Sequence, residues 1–404
     1  MIERMNSTLL VNSNTLIDFW GKLIVVIVFF AAPLRLYVPT TFILEMLFCV
    51  GILYCIYKKK IKVPSHIISY FCFAFYFFLL FLIGLLLTDP PGSFVNENYR
   101  FFFFYFIYIS LLILPLNYVK LLKWCFYCCV FHIFFSIYEV LSLNIFSIGN
   151  YENVILVGKA MALFPEDSAY LQPQWEFGLP FIRPWGIMLQ PQKSGFVLVL
   201  GIYLAYLLGK IGIVRHVKVW YVLFFIALLC TGAKTALLTG ILALLIIKFD
   251  IVFSRKLSVM RFLAYSVLFV VIVMFLIIDD VDINHIVFED VVVDTLALFN
   301  YSWYNVLFGV GIPDYNDLIA HGYTCECFYA RILAQLGIIN FALLVAVSIH
   351  IFKTKDRKIN LLIFIFFFGL VSHYCIINVY FIAFALALII SYYKKPILTE
   401  GHSV

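Results

Sequence analysis

Lys353-Thr354-Lys355-Asp356-Arg357-Lys358 interrupts an apolar chain, and its surroundings decide the fold. Two apolar stretches follow it, about Asn360–Tyr374 and Ile376–Tyr393, before the next basic pair, Lys394-Lys395. Working backwards, Lys58-Lys59-Lys60-Ile61-Lys62 stands in the same relation to a pair of apolar stretches on its N-terminal side. Helices of roughly 20 apolar residues that return to basic turns are the pattern of a chain threaded through a bilayer, with Lys and Arg held on the cytoplasmic side.

Composition agrees. The 404 residues are 65% hydrophobic and 12% charged, with 45 Phe and 26 Tyr. Soluble domains carry about 25% charged residues. The net charge of +6 is spread over separate turns, which suits anionic lipid headgroups and gives no nucleic-acid signal. Of the ten cysteines, Cys125, Cys128 and Cys129 lie inside an apolar segment, where Cys acts as a small hydrophobe. Cys125 and Cys128 have no second pair of metal ligands, so neither a metal nor any other cofactor is expected.

Only helices satisfy their own backbone polar groups in hydrocarbon. The expectation is therefore an all-α polytopic membrane protein, one integral membrane domain over residues 1–404, with about 12 transmembrane helices. They run about Leu16–Ala32, Thr40–Tyr57, Ile67–Leu87, Phe101–Pro115, Cys125–Phe146, Ile187–Leu208, Val219–Cys230, Thr235–Ile247, Phe262–Ile278, Phe328–Phe352, Asn360–Tyr374 and Ile376–Tyr393. Twelve crossings put both termini in the cytoplasm. Twenty of the 28 Lys and Arg residues then lie on that side, against five of the 22 acidic ones (Glu3, Asp18, Asp250, Asp356, Glu400). Two long outer loops remain, about 147–185 and 279–327, rich in acidic and aromatic residues. Loops of such length are usually functional or disordered, and the tryptophans Trp175, Trp185 and Trp303 favour order.

Three stretches carry the chemistry. The first is Arg183-Pro184-Trp185-Gly186, leading through Gln190-Pro191-Gln192-Lys193-Ser194-Gly195 into a helix. The second is the turn Thr231-Gly232-Ala233-Lys234. The third is Gly309-Val310-Gly311, followed by His321, Glu326, Arg331 and Leu336-Gly337-Ile338. An interfacial Arg or Lys is often an anchor reaching lipid headgroups. The outer side holds few basic residues, however, and Arg183 and Lys234 both sit in glycine-containing turns near helix ends, where anions bind well. Glu326, at the mouth of a helix, reads either as an acid favoured by the helix dipole or as a general base. Arg331 lies deeper on that helix, and His321, upstream, has an ordinary pKa suited to proton transfer. Glu139, Lys22 and Arg331 are the main charges away from the outer boundary, fewer than a transporter lining a central path would need.

These stretches, in this order among about twelve spans, resemble the O-antigen polymerase and O-antigen ligase superfamily of bacterial envelope glycosyltransferases. Arg183, Gly186 and Pro191 match an Arg-x-x-Gly with a following Pro at the end of a large periplasmic loop. Ala233-Lys234 loosely matches a small-residue turn with Ser-Arg. Gly309, Val310, Gly311, Glu326, Leu336, Gly337 and Ile338 match a Gly-Val-Gly and a helix ending in Leu-Gly-Ile. Two positions depart from the pattern. Lys234 stands where Arg is usual and loses the bidentate fork, and Glu326 stands where ligase-like members place a His, which favours polymerase over ligase.

The resemblance implies a multi-pass protein of the bacterial inner (plasma) membrane. It implies transfer of a glycan from an undecaprenyl-pyrophosphate-linked oligosaccharide to a lipid-linked repeat unit at the periplasmic face, with membrane lipids and a chain-length regulator as further partners. Arg183, Lys234 and Arg331 would hold the pyrophosphate, and Glu326 or His321 would act as base. The alternatives are an O-antigen ligase and a transporter or flippase for lipid-linked oligosaccharides.

Overall fold

The computed structural model describes residues 15–34, 40–57, 116–146, 174–176, 179–251, 356–368 and 380–400, with a few single positions between them. These residues are mostly helical. The helices are α1 (Thr15–Phe29), the short α2 (Ala31–Leu34), α3 (Thr40–Tyr57), α4 (Tyr118–Leu141), α5 (Pro191–Lys210), α6 (Val217–Thr231), α7 (Lys234–Lys248), α8 (Arg357–Phe368) and α9 (Tyr380–Glu400). A π-helical turn, Ser142–Phe146, extends α4. A two-stranded antiparallel hairpin, β1 (Gln174–Glu176) and β2 (Leu179–Phe181), pairs Trp175 with Pro180.

Among the described residues, two helices are long and apolar enough to cross a membrane, Tyr118–Ile145 and Pro191–Lys210. The 20 residues of α5, at about 1.5 Å each, match a hydrocarbon core of roughly 30 Å. The stretch expected as the second span, Thr40–Tyr57, forms a helix with the same bounds, α3. Most described starts lie within three residues of the sequence reading, and those of α4 and α5 differ by more. The fifth span was expected from Cys125, yet α4 begins at Tyr118, where Asn117 caps it by accepting the Lys120 N–H at 3.1 Å. Lys120 and Lys123 therefore belong to the first turns of a helix, not to a loop. The sixth was expected from Ile187, yet α5 begins at Pro191. Gly186 and Leu189 take left-handed backbone conformations (φ +63° and +57°) that no helix interior accepts. The ninth span, nearly all of the tenth and most of the third and fourth lie outside the described residues.

The chain divides into two compact units. One comprises Met1–Phe75, Phe102–Gly240 and Ile376–Val404, the other Tyr76–Phe101 and Ile241–Cys375. In the first unit, α4 packs on α1, α5, α6 and α9. The Phe126 ring meets Trp220 edge-on at 5.4 Å, and Phe29 meets Phe381 at 4.9 Å. Helix polarity sorts the charges. Asp18 near the start of α1 pairs with Lys120 at 2.6 Å, and Gly209 near the end of α5 abuts Val217 at the start of α6. Asp18 and Lys120 thus meet, and Lys210 and Lys218 flank the α5–α6 turn, at positions the sequence reading assigns to the cytoplasm.

The outward faces of this unit are apolar. On α4 the exposed side chains include Tyr127, Phe131, Phe134, Tyr138, Leu141 and Ile145, the last 60% exposed. Their spacing of three and four is one helical stripe. Val219, Val222, Ile226 and Leu229 repeat the pattern on α6, as do Ile43, Met46, Val50, Leu53 and Tyr57 on α3. The inward stripe of α4 carries His132, Ser136 and Glu139, all fully buried. A helix at a water boundary has the opposite arrangement. An apolar outward stripe, with three polar side chains set among the apolar ones that face inward, suits a helix long and apolar enough to cross a membrane.

In the second unit, the basic turn quoted at the outset closes on a helix end. Asp356 Oδ1 accepts the Lys358 N–H at 2.9 Å and the Ile359 N–H at 3.2 Å, capping α8. The Lys358 ammonium, 6% exposed as a residue, donates to Asp250 Oδ1 at 2.6 Å and to the Ile247 carbonyl at 3.2 Å. A cation at the C-terminus of α7 meets carbonyls left without helical partners. Both partners come from turns that the sequence reading places on one face.

Gly201 in α5 lets Phe224 of α6, itself fully buried, lie against the helix backbone, and an added Cβ would collide with its ring. Gly201→Val is therefore expected to lower stability by about 1–3 kcal/mol. A fall in unfolding temperature in detergent checks this, against no comparable fall for the outward-facing Val222→Ala.

Candidate functional site

The segment Ile182–Gln190 joins the β1–β2 hairpin to α5 and carries Arg183. It is fastened at both ends by side chains from α4 and the π-helical turn after it. At one end Asn144 behaves like a strand neighbour. Its Oδ1 accepts the Ile182 N–H at 2.7 Å, and its Nδ2 donates to the Ile182 carbonyl at 3.0 Å and to the Val140 carbonyl at 2.9 Å. At the other end Glu139 Oε2 accepts the Gly186 N–H at 2.5 Å. The π-helical turn, with its i to i+5 repeat, brings position 144 back toward the face that carries position 139.

Between these fastenings lies Arg183-Pro184-Trp185. Pro184 restricts its own φ and that of Arg183. Trp185 is buried, and its carbonyl accepts from the Gln190 N–H at 2.9 Å and from the Ser194 hydroxyl at 2.7 Å. The Gly186 carbonyl accepts the Leu189 N–H at 3.1 Å. This tight turn delivers the chain to Gln190 in extended conformation, and Pro191 starts α5, where its missing N–H is no loss.

Gly186 is where the polar side chains meet. An added Cβ there would collide with the Ser194 hydroxyl and lie 2.7 Å from Cε1 of His132. Glu139, His132 and Ser194 thus surround one glycine, and each is fully buried. Neither ring nitrogen of His132 makes a hydrogen bond among the described residues. Ser136 Oγ and Glu139 Oε1 are likewise buried without a hydrogen-bond partner among the described residues.

Lys234 reaches the same end of the molecule by a separate route. Helix α6 ends at Thr231, whose hydroxyl donates to the Leu228 carbonyl at 2.7 Å, and Gly232 caps it in left-handed conformation (φ +60°). The turn then packs on the first turn of α5. An added Cβ on Gly195 would lie 2.6 Å from the Ala236 methyl and 3.1 Å from the Ala233 methyl. Ala233 immediately precedes Lys234, which is exposed, and Arg183 is half-buried. The Arg183 segment and the Lys234 turn therefore share the N-terminal end of α5, joined through Ser194 and Gly195. Lys193, also in the first turn of α5, adds a third basic residue to that end.

Arg183 and Lys234 are two of the five expected site residues. Glu326, His321 and Arg331 lie outside the described residues. Cys125 and Cys129 are fully buried and Cys128 nearly so, as apolar packing requires, and all three are free thiols. Among the described residues no group of His, Cys, Asp or Glu is placed to hold a metal ion. Sequence reasoning missed the roles of Glu139, Asn144 and Ser194. The available signal was the spacing of His132, Ser136 and Glu139 at intervals of four and three in an apolar helix. No protein-family model matches the chain, and a search of curated proteins found no match.

A side chain at position 186 has no room and the wrong backbone. Gly186→Ala is expected to cost about 1–2 kcal/mol for the left-handed conformation alone, with the collision against Ser194 in addition. Thermal unfolding of the purified protein in detergent measures it, and an unfolding temperature equal to wild type would contradict this account of the turn.

Proposed function

We propose that the chain is an envelope-polysaccharide polymerase of the O-antigen type, a twelve-span protein of the bacterial inner membrane with both termini in the cytoplasm. It would transfer glycan from undecaprenyl pyrophosphate to a hydroxyl of a lipid-linked repeat unit on the periplasmic side. The single observation that carries this reading is the convergence of the Arg183 segment and the Lys234 turn on one end of α5. On this reading the opposite helix ends, which carry Lys120 and Lys210, face the cytoplasm, and the end bearing Arg183 and Lys234 is the outer one.

The chemistry asks for little more than charge. Pyrophosphate is a good leaving group once its developing negative charge is met. Arg183 supplies a fork matched to phosphate oxygens, and Lys234 adds a mobile point charge. Arg183, carried on a segment held in place before the reaction, stabilises the transition state more than the ground state. The attacking hydroxyl loses its proton to a general base, the role that sequence reading gives to Glu326 or His321, with Arg331 as a further phosphate contact. The apolar outward stripes suit a protein that receives a polyprenyl substrate from the bilayer.

Arg183→Ala is expected to lower chain extension by 10²-fold or more, the usual cost of one oxyanion-type contact. In cells lacking the wild-type gene, surface glycan profiles should then show single repeats on the core. A profile with no repeat at all would point to a ligase, and polymer of normal length would remove Arg183 from the mechanism. Lys234→Ala should also fail to extend, whereas Lys234→Arg should keep extending.

A further inference from the structure

Arg183 is the only charged residue between two hydrogen-bonded anchors, and both anchors are side chains of one helix and its π-helical extension. Asn144 grips both backbone polar groups of Ile182, immediately before it, at 2.7 and 3.0 Å. Glu139 grips Gly186, three residues after it, at 2.5 Å. The stretch between cannot slide, because Pro184 is stiff and Trp185 is buried with its carbonyl doubly bonded. A buried acid is an expensive residue in an apolar helix. Glu139 is fully buried, and the one hydrogen bond it makes among the described residues goes to this turn. Loops ordinarily owe their shape to their own residues, but here the side chains that set it stand on α4 and on the π-helical turn that prolongs it. Such local departures from α-helical winding accompany functional sites.

We infer that Glu139 and Asn144 are positioning residues that hold Arg183 where it meets the pyrophosphate group of the substrate. The inference rests on the proposed function for its ligand. It adds two residues that no motif marks and assigns them a role exerted through Arg183 alone. Displacement of a binding or catalytic group by about 1 Å is enough to cost up to 10²-fold, so the anchors matter even though they touch no substrate.

The test uses the full chain in detergent micelles and undecaprenyl pyrophosphate as the probe. Affinity is measured for wild type, Arg183→Ala, Glu139→Ala, Asn144→Ala, Glu139→Gln and the doubles Glu139→Ala/Arg183→Ala and Asn144→Ala/Arg183→Ala. Amide hydrogen exchange is followed over Ile182–Leu189 and, as an internal control, over Phe196–Leu208. The expected result is roughly tenfold weaker binding for Glu139→Ala and for Asn144→Ala, with no further loss on adding either to Arg183→Ala, because residues acting through one group do not add. Exchange at Ile182–Leu189 should rise about tenfold or more in both alanine variants and stay near wild type across Phe196–Leu208. Glu139→Gln keeps an acceptor oxygen and should bind within about threefold of wild type. Losses that add in the doubles, or wild-type affinity in both alanine variants while Arg183→Ala is weakened, overturn the inference and leave the proposed function standing. Wild-type affinity in Arg183→Ala overturns the pyrophosphate reading and this inference with it. If Glu139→Ala does not fold, Asn144→Ala decides the matter from the other anchor.

Discussion

The hydrogen bond from the Gly186 N–H to the Glu139 carboxyl organises the described end of this molecule. A carboxyl inside an apolar helix is costly unless its oxygens find donors. A backbone N–H in a buried turn is equally costly if left unmet. Each group answers the other. Once they meet, the chain between β2 and α5 is held against α4, Trp185 is enclosed, and the Ser194 hydroxyl closes the turn from the other side. The glycine is required because the buried side chains of Ser194 and His132 crowd the space that a Cβ would fill.

That arrangement explains why Glu139 faces inward although it lies in a helix whose outward stripe is apolar. In water, the hydrophobic effect would drive the opposite rotation. α4 instead turns Glu139 inward, where the Gly186 N–H meets it, and keeps an apolar stripe outward, as suits a helix long and apolar enough to cross a membrane. The same logic places the small residues. Gly195 against Ala233 and Ala236, and Gly201 against Phe224, let helices approach to backbone distance where no hydrophobic effect holds them together.

Much of the fold was legible in the chain. Stretches such as Thr40–Tyr57 announce themselves by length and hydropathy, and the resulting helix has the same bounds. The basic turn after α5 was legible too, since Lys210 ends that helix and Lys218 begins the next. The helix starts were less so. Lys120 and Lys123 looked like loop, yet long cationic side chains reach water from the first turns of a helix. Ile187 looked like helix, yet the left-handed Gly186 and Leu189 delay the start to Pro191. Of the candidate site, Arg183 and Lys234 were legible as basic residues in unusual places. Glu139 was visible only as a charge out of place, and Asn144 not at all, because their partners are backbone groups some forty residues away.

By itself, then, the amino-acid order determined which stretches form helices and where the basic residues fall between them. These follow from hydropathy and charge, which act residue by residue and need no knowledge of neighbours. Tertiary structure alone decided which helix face turns inward, that two turns distant along the chain share one end of α5, and that Glu139 and Asn144 carry the segment bearing Arg183. The physical reason is that a backbone N–H or carbonyl has no residue identity. Which side chain satisfies it is settled only when the packed chain brings the two within hydrogen-bond reach.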